Sequence, residues 1–140
     1  QYNPKAYKLI NSLQEKIRNK IITILKLKYN NKTSSWYEEG VPKDIQNKCA
    51  TRWIDKDREG KESEWMDLIH YKETIEHNKS NLLRIFTKPG DEQISEKKKL
   101  NWFVKMNLLR NKVSHTERGK ISEEEYESLK EIEGWLVKKL

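Results

Sequence analysis

Near the end of the chain the stretch LLRNKVSH, Leu108–His115, sets a guanidinium, an amide and an imidazole close together. Arg110 keeps its charge at any ordinary pH and can grip a phosphate through two parallel hydrogen bonds. His115, with an unperturbed pKa of about 6.5, can take or give a proton near neutrality. Asn111 can donate to a phosphate oxygen or orient the imidazole. On an ideal helix Asn111 and His115, four apart, share a face, whereas Arg110 and His115, five apart, diverge by about 140°. Within one copy the set is therefore loose. It closes if the helix frays after Val113 and turns His115 back, or if two copies meet across a twofold axis and each supplies part of one site. The competing account is electrostatic: cations near a helix C-terminus complement its dipole, and Asn111 then caps or faces water. Ser114 reads as a helix-end hydroxyl, since no base–acid pair is suggested around it.

Charge around these residues is one-sided. Lys97, Lys98, Lys99, Lys105, Arg110, Lys112, Arg118 and Lys120 crowd one stretch, and Glu117 is the only acid between Lys97 and Lys120. Such a patch can hold a phosphate backbone, and a solvated lysine face is the equal alternative for Lys97–Lys99. Trp102 can stack on a base, although helix packing is its simpler use. Trp36, Trp53, Trp65 and Trp135 read as core or interface residues.

The elements that must position these groups are helices. Ile10, Leu13, Ile17, Ile21, Ile24 and Leu25 fall at the three-and-four spacing of an amphipathic helix running from Ala6 to Tyr29. The polar cluster from Asn30 to Gly40 ends it. Pro42 opens a second helix, with Val41, Ile45, Cys49 and Trp53 inward and Ile54 beside them. The run from Asp55 to Glu64 is a charged connector. Leu68, Ile69, Ile75, Leu82, Leu83, Ile85 and Phe86 mark a third apolar region, broken into two short helices at His77–Asn81, with Ser80 or Asn81 as the cap. A Pro-Gly loop, Thr87–Gln93, precedes a fourth helix with Leu100, Phe103, Met106 and Leu109 or Val113 as its core side. The last helix starts on a capping box, Ser122 with Glu125, and a staple of Ile121 on Tyr126. Its inner face carries Tyr126, Leu129, Ile132, Leu136 and Leu140. No alternating strand pattern and no repeat occurs. The expected architecture is an all-α, up-down antiparallel bundle of four to five principal helices plus short ones.

Composition agrees with that architecture. The chain has 140 residues, one domain by length. Its hydrophobic share is 34% and its charged share 36%, a lean core that five Trp and six Tyr partly offset. The net charge of +7 favours anionic partners such as nucleic acid, nucleotides or acidic membrane surfaces, with a lysine-rich solvated surface as the alternative. The single Cys49 excludes an internal disulfide and suits a reduced, cytoplasmic protein. No apolar run reaches the roughly 20 residues of a membrane span. The start at Gln1 rather than Met suggests a segment of a longer protein. His70 and His77 have no ligand partners in pattern and read as surface or boundary residues, so no metal site is expected. There is no Gly-rich phosphate loop and no nucleophile elbow.

Arg-Asn, three residues, then His, at a helix end before a capped final helix, resembles the signature of the HEPN superfamily (higher eukaryotes and prokaryotes nucleotide-binding). These are small helical-bundle domains. KLNWFVKMNLLRNKVSH and ERGKISEEEYESLKEIEGWL look like their last two helices. WYEEGVPKDIQNKCATR and DLIHYKETIEHNKSNLLRIF look like earlier parts of a branch appended to the C-terminal end of larger proteins. The likeness covers residues 36–140, and the residues before it read as an additional helix.

The resemblance implies a metal-independent endoribonuclease without cofactor, of a kind used in defence or as a toxin. His115 would transfer protons, Arg110 hold the phosphate and Asn111 position, with Lys97, Lys98, Lys99, Lys105, Lys112, Arg118 and Lys120 along the RNA. It also implies a homodimer with the motif at its interface, and a neutralising partner or further domains in a larger chain. The alternative is a non-catalytic RNA- or nucleotide-binding or dimerisation module.

Overall fold

The computed structural model describes residues 1–29, 35–115 and 118–140. The described residues form helices and turns, with no strand among them. Backbone contacts group the chain into two compact units, residues 1–18 with 84–140, and residues 19–83. The chain is thus all-α, as the spacing of its apolar residues requires.

Helix α1 (Asn3–Lys28) runs through the first part of the chain. It buries Ala6, Leu9, Ile10, Leu13, Ile17, Ile21 and Leu25, which lie on one stripe at helical spacing. Ile24, expected in that row, is only half-buried.

In the unit of residues 19–83, α2 (Ser35–Gly40) replaces part of the polar turn expected from Asn30 to Gly40. The reason is aromatic: Trp36 and Tyr37 bury their rings and fold the segment down. The rest of that turn, residues 30–34, lies outside the described residues. Helix α3 (Lys43–Asp55) follows Pro42, and buries Ile45 and Cys49 as expected, while Ile54 stays half exposed. Burial pushes the Cys49 thiol up, so it remains a protonated, inert core group.

The charged connector is more ordered than its composition suggests. Asp57 and Arg58 take left-handed backbone angles, and a 3-10 turn forms at Glu62–Trp65. Two indoles hold it: Trp53 Nε1 donates to the Gly60 carbonyl at 3.0 Å and Trp65 Nε1 to that of Glu59 at 3.1 Å.

The third apolar region splits into α4 (Leu68–His77) and α5 (Lys79–Leu82), as the polar run predicts. The break falls within that run, and the N-cap of α5 is Asn78 rather than Ser80 or Asn81. Asn78 is buried, its amide donating to the carbonyls of Gly40 at 2.7 Å and Thr74 at 2.9 Å. Its Oδ1 accepts from the Tyr29 hydroxyl at 3.4 Å and from Lys28 Nζ at 3.5 Å. At Gly40 an added Cβ would stand 2.9 Å from Leu25 Cδ1 and 3.2 Å from the Tyr29 ring, so those side chains would have to shift. Asn78→Ala takes the side-chain donor from the Gly40 carbonyl, a cost of about 1–3 kcal/mol, while the Thr74 carbonyl keeps the backbone N–H of residue 78 at 3.1 Å. Urea unfolding should therefore show a loss of about 1–3 kcal/mol.

His70 differs from its expected boundary position, for it is only 3% exposed. Its Nδ1 accepts the Asp67 backbone N–H at 2.9 Å, closing a capping box at the start of α4. The Asp67 carboxylate in turn takes Arg52 at 2.7 Å. Burial, the largest influence, holds the His70 pKa below its ordinary value, and Arg52 works in the same direction against the opposing pull of Asp67. Linkage gives the sign of the effect on stability. Well above pH 6.5 neither folded nor unfolded imidazole holds a proton. As pH falls below that, the unfolded chain takes up a proton that the folded chain refuses, and stability drops. Urea midpoints should decline from pH 7 to pH 5, and this component should be absent in His70→Gln.

In the unit of residues 1–18 and 84–140, the loop after Phe86 leads to α6 (Glu96–Lys99), α7 (Asn101–Ser114) and α8 (Glu123–Leu136). A closing 3-10 turn covers Val137–Lys139. Leu100, at φ −107°, separates α6 from α7, so the expected fourth helix comes in two pieces. Phe86, Leu100, Phe103, Met106, Leu109, Ile121, Leu129, Ile132 and Leu136 form the core here, which selects Leu109 over Val113.

Candidate functional site

The Arg110–His115 set occupies the end of α7, and local chemistry explains why the helix stops there. The His115 N–H makes the last helical bond, to the Asn111 carbonyl at 3.1 Å, while its own backbone is extended at φ −131°, ψ 93°. The chain then turns, with the Arg118 N–H on the His115 carbonyl at 2.8 Å. Gly119 takes φ 109°, a left-handed angle open to glycine at little cost.

Beyond that turn, three contacts pin the start of α8. Ile121 is buried, and its N–H donates to Asn3 Oδ1 at 2.8 Å. Ser122 caps α8, accepting the Glu125 N–H at 3.1 Å, while the Ser122 N–H donates back to the Glu125 carboxylate at 2.9 Å. Tyr126 stacks obliquely on Tyr2, ring centroids 5.4 Å apart. The capping box is thus present as its spacing predicts. Lys112 Nζ also reaches Glu125, at 3.0 Å, and ties the last turn of α7 to the first turn of α8. The Ser122 N–H first, then the Lys112 ammonium, hold the Glu125 carboxyl below the usual carboxylate range.

Of the three motif residues, Arg110 and Asn111 are half-buried and His115 is exposed. At 100° per residue, Val104, Leu108 and Asn111 fall within about 60° of one another on α7, and His115 follows directly after its last residue. Val104 is 41% and Leu108 61% exposed. Asn111 thus continues the exposed stripe of Val104 and Leu108 toward the helix end, where His115 follows. By the same count Arg110 lies about 100° from Asn111, at the angle of Phe103 and Met106, and is half-buried there.

The basic residues separate into groups. Lys98, Lys99 and Lys105 line one cleft, with Trp102, Trp135 and Ile132 as its walls. Lys97 is exposed on α6 and does not line it. Arg118 and Lys120 are exposed in the turn after His115. Lys112 is committed to Glu125, so its charge is balanced within the chain. Glu117, the one acid of this stretch, lies outside the described residues.

The sequence did not single out Asn3, 118 residues from the backbone group it holds. No local signal marks such a pair. Glu125 was visible as a cap but not as the partner of Lys112. For the cleft a signal did exist: Ser128, Glu131, Ile132 and Trp135 recur at helical spacing on one face of α8.

Comparison with protein-family models, with curated proteins and with solved structures gives no significant match. The functional reading therefore rests on the residues and their geometry. Among the described residues, no helix is long and apolar enough to cross a membrane.

Proposed function

We propose that this chain is a metal-independent endoribonuclease of HEPN type, acting as a homodimer. The observation that carries the reading is the exposed apolar pair Val104 and Leu108, on the face of α7 that leads through Asn111 to the helix end at His115. Exposed apolar stripes of this kind favour association. A second copy brought there by a twofold axis would set two motifs side by side.

The chemistry gives a reason for two copies. Cleavage by the ribose 2′-OH needs a base to take its proton and an acid to protonate the departing 5′ oxygen. One chain offers a single imidazole at the motif. Two chains offer two, one neutral as base and one protonated as acid. Arg110 binds the non-bridging phosphate oxygens, where negative charge builds up as the new P–O bond forms. Asn111 orients the imidazole or donates to the phosphate. The P–O5′ bond breaks, leaving a 2′,3′-cyclic phosphate and a 5′-OH.

The test is to incubate single-stranded and structured RNA with the protein in EDTA and to examine the ends. Fragments whose 5′ ends accept a kinase label without prior phosphatase treatment support this mechanism. Fragments that require phosphatase first would exclude it. Binding without cutting would favour the non-catalytic module instead. In a defence or toxin-like setting, a neutralising partner or other domains of a longer chain would restrain the activity.

A further inference from the structure

A cleft of about 230 Å³ lies among the loop after Phe86, α6, α7 and α8, all within one compact unit. Two indoles wall it: Trp102 and Trp135 meet edge to face, ring centroids 5.3 Å apart. Trp102 Nε1 donates to the Phe86 carbonyl at 2.9 Å and one face of its ring stacks on Phe103, centroids 4.0 Å apart, which fixes the ring and leaves its other side for contact. Both indoles remain half-buried rather than sealed into the core.

The lining is cationic in balance, with Lys88, Lys98, Lys99 and Lys105 against Asp91 and Glu131. Lys88 is neutralised by Glu131 across the cleft. Lys98, Lys99 and Lys105 make no ion pair among the described residues, and Lys105 stands one turn along α7 from Trp102. Flat aromatic walls with spare ammonium groups at the edge select a flat, aromatic anion. A purely acidic peptide would use the lysines and leave the indoles without purpose. The volume falls below the roughly 300–1,000 Å³ of pockets that enclose whole ligands. The cleft therefore suits one unit of a chain that continues outside it.

We propose that this cleft is a nucleotide subsite, holding one residue of a single-stranded RNA with its base against Trp102 and Trp135 and its phosphate on Lys98, Lys99 and Lys105. The choice of RNA as the polymer rests on the ribonuclease reading; the preference for a nucleotide rests on the cleft alone. Trp102 lies in the first turn of α7 and His115 at its C-cap, 13 positions on and about 20 Å along the axis. The subsite thus anchors the strand away from the cut, and it stays open when the Val104–Leu108 stripe is covered.

The test uses the full chain carrying His115→Ala, so that RNA stays intact, with a fluorescent hexauridylate as probe in EDTA. Adding Lys98→Glu and Lys105→Glu should weaken binding at least tenfold. It should also lower the slope of log affinity against log salt by about 1.4, two phosphate contacts' worth for a single strand. Trp135→Leu should reduce the tryptophan quenching that accompanies binding. Unchanged affinity and slope in the lysine variant would overturn the proposal, as would equal binding of an oligoglutamate of matching charge. If the lysine variant loses binding and the wild type cuts nothing, the subsite stands and the ribonuclease reading falls. If the wild type cuts in EDTA and the lysine variant binds unaltered, the reverse holds.

Discussion

Replacing His115 by alanine is expected to lower chelator-resistant RNA cleavage by about a thousandfold or more. A positioned acid or base contributes about 10²- to 10⁴-fold, and in the proposed dimer the substitution removes both at once. A thousandfold corresponds to about 4 kcal/mol of transition-state stabilisation. Binding of the RNA should change much less, since Arg110 and the lysines supply the charge. Stability should change little, because the His115 side chain is exposed at the end of α7. Single-turnover cutting of a defined RNA, beside a urea unfolding curve, reads both quantities. Cleavage that persists in the variant within tenfold of wild type would remove His115 from the chemistry. Cleavage lost together with the fold would say nothing about catalysis, so the unfolding curve is part of the result.

Leu108→Glu should separate the dimer and abolish cutting while leaving the helices intact. Leu108 is 61% exposed and lies with Val104 on the face that leads to the helix end at His115. A carboxylate there would lose its hydration in the covered state without gaining a partner, a penalty of several kcal/mol. Because a twofold interface repeats each residue, two like charges would enter together. The self-association Kd should rise at least a hundredfold, read by sedimentation velocity at micromolar protein. Circular dichroism should stay helical, since an exposed position contributes little to the core. Full-rate cutting by a monodisperse monomer at nanomolar concentration would refute the shared site. A wild type that never associates would do the same.

These two outcomes bear on different links of one chain of causes. His115 concerns the proton transfers themselves. Leu108 concerns whether two such groups ever meet. The buried network at Asn78 and the capping interaction of His70 concern only the stability of the residues 19–83 unit. A change there should move unfolding midpoints without altering the ends of the RNA fragments.

Much of the architecture was legible in the residues alone. The apolar stripe of α1, the start of α3 after Pro42 and the Ser122–Glu125 box all rest on short-range rules. Such rules concern residues three or four apart, which any sequence displays. The end of α7 at His115 was legible for the same reason. The segment around Trp36 was not, because its polar neighbours signal a turn while burial of two aromatic rings makes a helix. His70 was misplaced on similar grounds. A lone histidine reads as a boundary residue until the tertiary fold closes over it and the Asp67 N–H supplies its partner.

What the sequence determined by itself was the periodicity, the caps and the chemical identity of the motif at the end of one helix. What only the tertiary structure decided was which distant groups share a place. Asn3 with Ile121, Lys88 with Glu131, and Trp102 with Trp135 beside three lysines are such cases. The physical reason is range. Helix propensity and capping act within a turn or two, whereas packing joins residues whose separation along the chain carries no signal of their distance in space.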